Sequence, residues 1–366
     1  MSKLEELINK LCPNGVEFKT LQYLCGTITT GKLNANAMED DGLYPFFTCD
    51  SNPFKINTYA FDEEAILISG NGSQVGHINY YKGKFNAYQR TYVIYDFKEI
   101  NAKFLLHYLN GYLKEYILKN CKKGSIPYIT LPMLQKFCIP VPPLEVQCEI
   151  VRILDNFTLL STELSIELKA RQQQYKYYRD ILLSFNEIVP RKKLIDISNI
   201  SRGKRVTKKD LDDSSEYPVY QNSLALMGYY NDYNYEENKT YVISAGAAGE
   251  IGFCKEKFWA ADDCLVIYNL KDILDKYVYY YLLSKQDYIK ANVRKASIPR
   301  LSRTIIENIE IPIPSIERQE EIVYILDRLD KLCNDITSGI PAEIEKRQKQ
   351  YEHYRDKLLT FKELKS

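Results

Sequence analysis

A long internal repeat is the feature that most constrains how this chain can fold. The stretch IPVPPLEVQCEIVRILD at residues 139–155 returns as IPIPSIERQEEIVYILD at 311–327, with eleven of seventeen positions identical and an offset of 172 (311 − 139). A second pair follows, RQQQYKYYRD at 171–180 and RQKQYEHYRD at 347–356, at an offset of 176 (347 − 171). A repeat of this length predicts a structure built from two copies of one unit.

Weaker matches extend the repeat over the rest of the chain. ITTGK pairs with ISRGK, VIY with a second VIY, and GSIP with ASIP, all at nearly the same offset. The sequence therefore predicts two variable domains, each followed by a repeated helical segment. The predicted segments are residues 1–143 (first variable domain), 144–187 (central helix), 188–315 (second variable domain) and 316–366 (C-terminal helix).

Each repeated block predicts a helix that begins just after prolines, which suit the first turn of a helix but not its interior. Apolar residues recur at steps of three and four, which is typical of a coiled-coil seam. The second copy has four extra residues near TSGIP, where Gly339 and Pro341 predict a break or kink. The seam residues are Ile150, Ile153, Phe157, Leu160, Leu164, Leu168, Tyr175, Tyr178 and Leu182 in the first copy, and Ile322, Ile325, Leu329, Leu332, Ile336, Ile340, Ile344, Tyr351, Tyr354 and Leu358 in the second.

The first helical segment, residues 144–186, would be a rod of ~65 Å if unbroken, at about 1.5 Å per residue. Two matching seams favour an intramolecular antiparallel pair of helices, which would place the variable domains at opposite ends around an approximate two-fold axis. A charged, solvent-exposed helix that packs only on its own domain is the alternative, and it leaves the matching seams unexplained.

Both variable domains have strand-like runs rich in β-branched and aromatic residues, followed by helical runs. We therefore expect an α+β fold with two pseudo-symmetric α/β domains, separated by two long antiparallel coiled-coil helices. The predicted strands are residues 63–69, 90–97, 239–244 and 263–270, and the predicted helices are 103–120 and 276–293.

Composition limits the class of protein. Apolar residues make up 45% and charged residues 27% of the 366 positions, the proportions of a soluble globular protein. The N-terminal MSKLEELINKL predicts a short amphipathic helix rather than a signal peptide, since acidic residues interrupt it, and we expect a cytoplasmic chain. The nine cysteines form no C-x-x-C pair, so incidental thiols are expected rather than metal ligands or disulfides.

No pattern for catalysis is evident. The glycine-rich stretches SGNGSQVG and SAGAAGEIG lack the G-x-G-x-x-G spacing at the start of a helix that a dinucleotide loop needs. They predict tight turns or, alternatively, a close backbone approach to a nucleic-acid phosphate. SNPFKI partly matches the N-P-P-[YF] element of amino-methyltransferases but lacks its second proline, which favours a plain turn. We therefore expect a non-catalytic chain.

The remaining signal is recognition of nucleic acid. The net charge is only +1, yet residues 190–209 carry eight basic residues and one acid. Basic side chains neutralise phosphates, whereas Arg, Asn and Gln read base edges. Ordinary solvated loops are the alternative for each position. The candidate DNA-binding residues are Asn71, Ser73, Gln74, Arg90, Lys122, Lys123, Ser125, Arg202, Lys204, Arg205, Asn222, Arg294, Lys295, Ser297 and Arg300.

Together, the repeated blocks resemble those of specificity subunits of type I restriction-modification systems. The resemblance spans essentially the whole chain, and STELSIEL at residues 161–168 is similar to the short tetrapeptide repeats that some members carry. It implies that each variable domain reads one half of a split double-stranded DNA target, and that the helices space the halves.

The resemblance also implies partners. Two modification subunits would dock on the helices and bring S-adenosylmethionine, and restriction subunits would bring ATP and Mg²⁺. Two copies of a partner need two copies of a docking surface, which accounts for the repeated helices. The candidate docking residues are Tyr177, Arg179, His353 and Arg355.

Two other functions stay open on the residues alone. One is a non-enzymatic two-headed coiled-coil adaptor that binds proteins or carbohydrates, for which DNA binding would be absent. The other is a self-contained DNA methyltransferase, which would bind its cofactor without a partner. The residues do not fix which bases are read, because geometry decides base readout.

Overall fold

The computed structural model describes residues 3–120, 128–335 and 337–364. The chain forms two compact units: unit 1 comprises Met1–Leu164 with Ile344–Ser366, and unit 2 comprises Ser165–Glu343. Each unit therefore combines one variable domain with a part of both repeated helical segments. Among the described residues no helix is both long and apolar enough to cross a membrane.

The described elements alternate short strands with helices, in the predicted α+β class. Up to residue 182 they are α1 (Lys3–Leu11), β1 (Glu17–Thr20), α2 (Leu21–Leu24), β2 (Cys25–Thr30), β3 (Tyr44–Phe47), β4 (Phe54–Ile56), β5 (Phe61–Ser69), β6 (Ile78–Ala87), β7 (Thr91–Phe97), α3 (Ala102–Asn120), α4 (Leu131–Gln135), β8 (Cys138–Val141) and α5 (Leu144–Leu182).

The second half repeats this order with smaller strands. Its described elements are β9 (Arg191–Lys193), α6 (Leu194–Ile197), β10 (Asn199–Arg202), β11 (Tyr217–Tyr220), β12 (Gly228–Tyr230), β13 (Lys239–Ile243), β14 (Ile251–Cys254), β15 (Trp259–Ala260), β16 (Cys264–Tyr268), α7 (Asp275–Ser284), α8 (Gln286–Ala291), α9 (Arg303–Glu307), β17 (Glu310–Pro312), α10 (Ile316–Asn334) and α11 (Ile340–Leu359).

In unit 1, the described strands form a sheet in the order β2-β7-β5-β6-β3-β4, and β1 pairs with β8. Successive side chains of β5 point to opposite faces. Ile66 and Ile68 pack in the core that also contains Phe104 of α3, whereas Leu67 packs with Phe47 on the other face. Because β5 is covered on both faces, its apolar residues are continuous rather than alternating, and its position in the sheet is fixed.

Unit 2 has the same plan with one interruption. Its described strands form the sheets β10-β16-β13-β14 and β12-β11-β15, and β9 pairs with β17. In unit 1 the long β6 pairs with β5 and also, in parallel, with β3. In unit 2 those two pairings are divided between β14 with β13 and β15 with β11. The single six-stranded sheet of unit 1 therefore corresponds to two separate sheets in unit 2.

Two helix predictions need correction. The helix predicted over 276–293 is two helices, α7 and α8, which meet at Lys285; its backbone N–H donates to the carbonyls of Tyr281 and Leu282. The central helix ends at Leu182, four residues earlier than Asn186. The predicted break near Gly339 is confirmed, since α10 ends at Asn334 and α11 begins at Ile340.

The predicted seam is buried over only part of its length. Ile150 and Ile322, at equivalent positions, are fully buried. Leu160 and Leu332, also equivalent, are 44% and 38% exposed, so burial does not continue along the whole stripe. Within unit 1 the rings of Phe157 and Tyr354 stack with centroids 5.2 Å apart, which joins the first part of α5 to α11.

A buried glutamine fixes the start of the repeated helix in each unit. In unit 1, Gln147 Nε2 donates to the carbonyls of Glu99 and Pro142 at 3.0 and 2.8 Å, and its Oε1 accepts from the Asn101 amide at 2.7 Å. In unit 2, Gln319 makes the same three bonds, to Asp272, Pro314 and Leu274. Each amide thus connects its helix to the loop before α3 or α7.

Candidate nucleic-acid interface

In unit 1, three loops meet at one end of the sheet and bring two predicted residues together. Asn71 and Arg90 line one cavity of about 260 Å³, which Thr30, Gln89 and Tyr128 also border. Two backbone bonds hold the loops, from the Gly70 amide to the Arg90 carbonyl at 2.9 Å and from the Ile129 amide to the Gly70 carbonyl at 2.8 Å. We call this end of unit 1 recognition end 1.

The glycine-rich stretch of unit 1 is a tight turn between β5 and β6. Gly72 and Gly76 have φ values of +83° and +81°, which favour glycine. The Gly76 amide donates to the Ser69 carbonyl at 2.8 Å and closes the turn. Ser73 and Gln74 lie exposed in it. The turn leads into a strand rather than a helix, so it lacks the helix N-terminus on which a dinucleotide pyrophosphate rests.

Short contacts fix the polar side chains of recognition end 1. The Cys49 thiol donates to Asn71 Oδ1 at 3.2 Å, which leaves the amide nitrogen as the group of Asn71 that is available to donate. Gln89 Nε2 donates to Asn34 Oδ1 at 2.8 Å. Arg90 is exposed and reaches solvent from the same rim. A rim of amide and guanidinium donors is suited to contacts with base edges and phosphates.

In unit 2, the predicted residues of the basic loop pack beside the second glycine-rich turn. Arg294 and Arg300 pair through their backbones, with N–H to O distances of 2.8 and 3.2 Å, and Arg300 also lies opposite Ala245 of the turn. The Asn222 carbonyl accepts from the Ala247 amide at 2.9 Å. These contacts bring Asn222, Arg294 and Arg300 to one surface, which we call recognition end 2. Lys295 and Ser297 lie exposed in the same loop.

A Gly-Lys pair that occurs in both units supplies a third group of candidate DNA-contacting residues. Gly31 and Gly203 pass so close to the carbonyl oxygens of Ala87 and Ala260 that an added Cβ would overlap with them. Only glycine fits there, and the next residue, Lys32 or Lys204, is exposed. Lys32 is absent from the predicted set, although the matching ITTGK and ISRGK stretches were the signal for it.

Arg202 and Lys204 line a second cavity, of about 560 Å³, within unit 2. Arg205 is exposed beside them. This cavity is distinct from recognition end 2, because its lining residues differ from Asn222, Arg294 and Arg300. The predicted residues Lys122, Lys123 and Ser125 lie outside the described residues. Thr30 and Tyr128 are lining residues of recognition end 1 that the predicted set lacks.

The candidate docking residues divide into two kinds. Tyr177 is 63% exposed, and His353, at the equivalent position of the second copy, is also exposed. The Arg179 and Arg355 side chains are only 14% and 15% exposed and pair with the adjacent Asp180 and Asp356. Each guanidinium also lies over a tyrosine ring of the previous helical turn, Tyr175 or Tyr351. The arginines therefore stabilise their own unit, and the two exposed rings are the accessible members of the set.

No group of three or more His, Cys, Asp or Glu side chains suited to a metal ion occurs among residues 3–120, 128–335 and 337–364. The described cysteines are free thiols. The chemical groups at the two recognition ends are therefore hydrogen-bond donors, acceptors and fixed cations.

Comparisons with known proteins find the same family in both halves of the chain. Residues 13–171 and 188–346 each match the type I restriction modification DNA specificity domain. The chain is 30% identical over 377 residues to a putative type I restriction enzyme specificity subunit of Haemophilus influenzae, with 94% of this chain and 96% of the relative covered. It is 33% identical over 288 residues to the EcoR124I/EcoR124II specificity subunit of Escherichia coli, with 71% and 70% covered.

Two solved structures share the fold. A type I restriction-modification S subunit from M. genitalium superposes with a TM-score of 0.65 at 19% identity, over 98% of this chain and 99% of that one. A chain from a study of complex assembly and conformational transition in the type I R-M system superposes with a TM-score of 0.58 at 14% identity, over 96% and 98%.

Proposed function

This chain belongs to the type I restriction-modification DNA specificity family, and we propose that it selects a bipartite DNA target for a type I enzyme. Unit 1 reads one half of the target through recognition end 1, and unit 2 reads the other half through recognition end 2. The chain itself performs no covalent chemistry. Its work is recognition and assembly in the cytoplasm.

One observation carries the proposal: the two units repeat their framework and differ where they meet solvent. The Gln147 and Gln319 contacts match bond for bond. In contrast, recognition end 1 offers Asn71 and Arg90, whereas recognition end 2 offers Asn222 and a pair of arginines. A shared framework with different readers is what a target made of two unlike halves requires.

The repeated helices supply the assembly surface. We propose that two modification subunits bind them, one at each copy, with Tyr177 and His353 among the contacts. The modification subunits would carry S-adenosylmethionine, and restriction subunits with ATP and Mg²⁺ would complete the enzyme. Identical partners binding at two repeated surfaces give a complex with approximate two-fold symmetry.

The direct experiment is to express the chain with its modification subunit and map methylated adenines across the host genome. A split sequence with two fixed halves supports the proposal. Replacing the variable domain of unit 1 with that of a relative should change one half and leave the other as it was. Methylation without a split pattern, or DNA binding whose affinity does not fall with salt, would contradict DNA recognition by two readers.

The length of the central helix gives a second test. One extra tetrapeptide after STELSIEL adds ~6 Å to a helix, close to two base-pair rises. We expect the gap between the two halves of the methylated sequence to lengthen, while the halves themselves stay the same. An unchanged gap would rule out the helices as the spacer.

A further inference from the structure

The cavity beside β10 in unit 2, which Arg202 and Lys204 line, has walls that are joined by several hydrogen bonds. Asn234 of the facing loop donates from Nδ2 to the Ala260 carbonyl and accepts at Oδ1 from the Ala260 amide, both at 2.8 Å. Trp259 Nε1 donates to the Lys204 carbonyl at 2.8 Å. The Gly203 amide donates to the Cys264 carbonyl at 3.1 Å. The walls are therefore held by side-chain and backbone bonds that leave the cavity itself open.

Some of the charged residues that line the cavity form ion pairs, and others do not. Glu236 pairs with Lys257 at 3.1 Å, and Lys239 pairs with Asp275 at 3.1 Å. Within the described part of the chain, Arg202 and Lys204 have no such ion pair. Arg202 and Lys204 stand on either side of a closely packed glycine, and Asp232 also borders the cavity. Among the described residues that carboxylate has no ion pair either, so the lining carries two cations and one carboxylate outside ion pairs.

Much of the remaining lining is aromatic, and Asp232 and Asn269 are its other polar members. Tyr233, Tyr235, Trp259 and Tyr268 border the same space, and all four rings are partly exposed. Aromatic rings beside unpaired cations are suited to an anion that also has an apolar part. In DNA that combination is the phosphate with its deoxyribose, whereas a base inside an intact duplex is not accessible to such a cavity without unstacking.

We propose that this cavity binds one phosphate and deoxyribose of the DNA backbone next to the half-site that unit 2 reads. Arg202 and Lys204 contact the phosphate, and Trp259 packs against the sugar. This inference rests on the proposed function, but it concerns a place where the backbone is gripped rather than where bases are read. The residues of unit 1 that are equivalent to Arg202 and Lys204 are Thr30 and Lys32, so only one of the two cations is present in unit 1.

The test uses a natural reporter, because Trp259 is the single tryptophan of the chain. The chain, in complex with its modification subunit, is compared with the same complex carrying Trp259→Phe, so that the difference isolates this indole. Duplex DNA carrying the methylated target is then titrated while fluorescence and DNA anisotropy are recorded together. We expect the Trp259 signal to change at the same DNA concentration at which anisotropy rises.

Arg202→Ala with Lys204→Ala should weaken DNA binding about tenfold or more. It should also lower the salt dependence by about two phosphate contacts, with the methylated sequence unchanged. The matched control is Lys208→Ala with Lys209→Ala, which removes the same charge from the same basic segment outside the cavity. Equal losses in both double variants, or DNA binding without a Trp259 signal, would overturn the inference and leave the proposed function intact. Absence of any DNA binding by the wild-type complex would instead contradict the proposed function.

Discussion

The His107 ring and the Tyr351 hydroxyl are joined within unit 1 by a hydrogen bond of 3.0 Å between Nδ1 and Oη. The other ring nitrogen, Nε2, lies 3.0 Å from Asp155 Oδ1. A neutral imidazole that donates from Nε2 and accepts at Nδ1 satisfies both partners. These three side chains connect α3, which belongs to the variable domain, to α5 and α11, which belong to the two repeated helical segments.

The same position in unit 2 has different chemistry. Tyr280 replaces His107 and donates directly to Asp327. Tyr175, the equivalent of Tyr351, is buried, and within the described residues its hydroxyl has no hydrogen-bond partner.

Tyr351→Phe should therefore destabilise unit 1 by about 1–3 kcal/mol, because it leaves His107 Nδ1 without a donor. Urea denaturation followed by domain-resolved hydrogen exchange measures the change.

Tyr175→Phe is the matched control for that change. It removes a hydroxyl that has no described partner, so we expect the stability of unit 2 to change by less than about 0.5 kcal/mol or to rise slightly. Equal losses from the two substitutions would show that the hydroxyls are not distinguished by their hydrogen bonds.

Stability should depend on pH through His107. Burial lowers the pKa of this imidazole from its ordinary value of 6.5, against the opposing effect of the Asp155 carboxylate. The unfolded chain then binds the proton more readily than the folded one. The contribution of His107 is therefore complete above pH 6.5 and is lost as pH falls from there toward the lowered pKa of the folded state.

His107→Tyr, which copies the residue of unit 2, should remove this part of the pH dependence. Urea midpoints at pH 7.5 and pH 5.5 would compare the variant with the wild type. We expect the wild type to lose more stability on acidification than the variant. A larger loss in the variant would mean that protonated His107 is stabilised by Asp155 and that the pKa shift has the opposite sign.

The buried glutamines should be among the most sensitive positions of the framework. Gln147→Glu keeps the size of the side chain but replaces the two donations to Glu99 and Pro142 with a carboxylate facing their carbonyls. We expect a loss of at least about 3 kcal/mol in unit 1, and a similar loss from Gln319→Glu in unit 2. Gln172→Glu, on the exposed face of α5, is the control and should change stability by less than about 0.5 kcal/mol. Thermal unfolding provides the comparison, and a tolerated Gln147→Glu would contradict a structural role for the amide.

Substitutions at the two recognition ends should change base recognition in different halves of the target. Arg90→Ala should relax specificity at one position of the half read by unit 1, at a cost of about 1–3 kcal/mol, and leave the other half unchanged. Arg300→Ala should do the reverse. Adenine methylation mapping of the two variants checks both, and a change in both halves from either substitution would show that the ends do not act separately.

The sequence by itself determined the duplication, the α+β class, the main strands and the break near Gly339, because each depends on a local pattern of apolar spacing, glycine or proline. It also indicated Asn71 and Arg90 as candidates, but not that they border one cavity. That proximity comes from backbone bonds between loops far apart in the chain, such as the bond from Ile129 to Gly70.

Only the tertiary structure decided which charged and polar side chains are accessible. Arg179 and Tyr177 are two residues apart, yet the arginine is held over Tyr175 while the tyrosine is exposed. Likewise, His107 and Tyr280 occupy equivalent positions of a repeat but have different partners. Helical or strand periodicity sets the face on which a side chain lies, whereas burial and pairing depend on what the rest of the chain packs against that face.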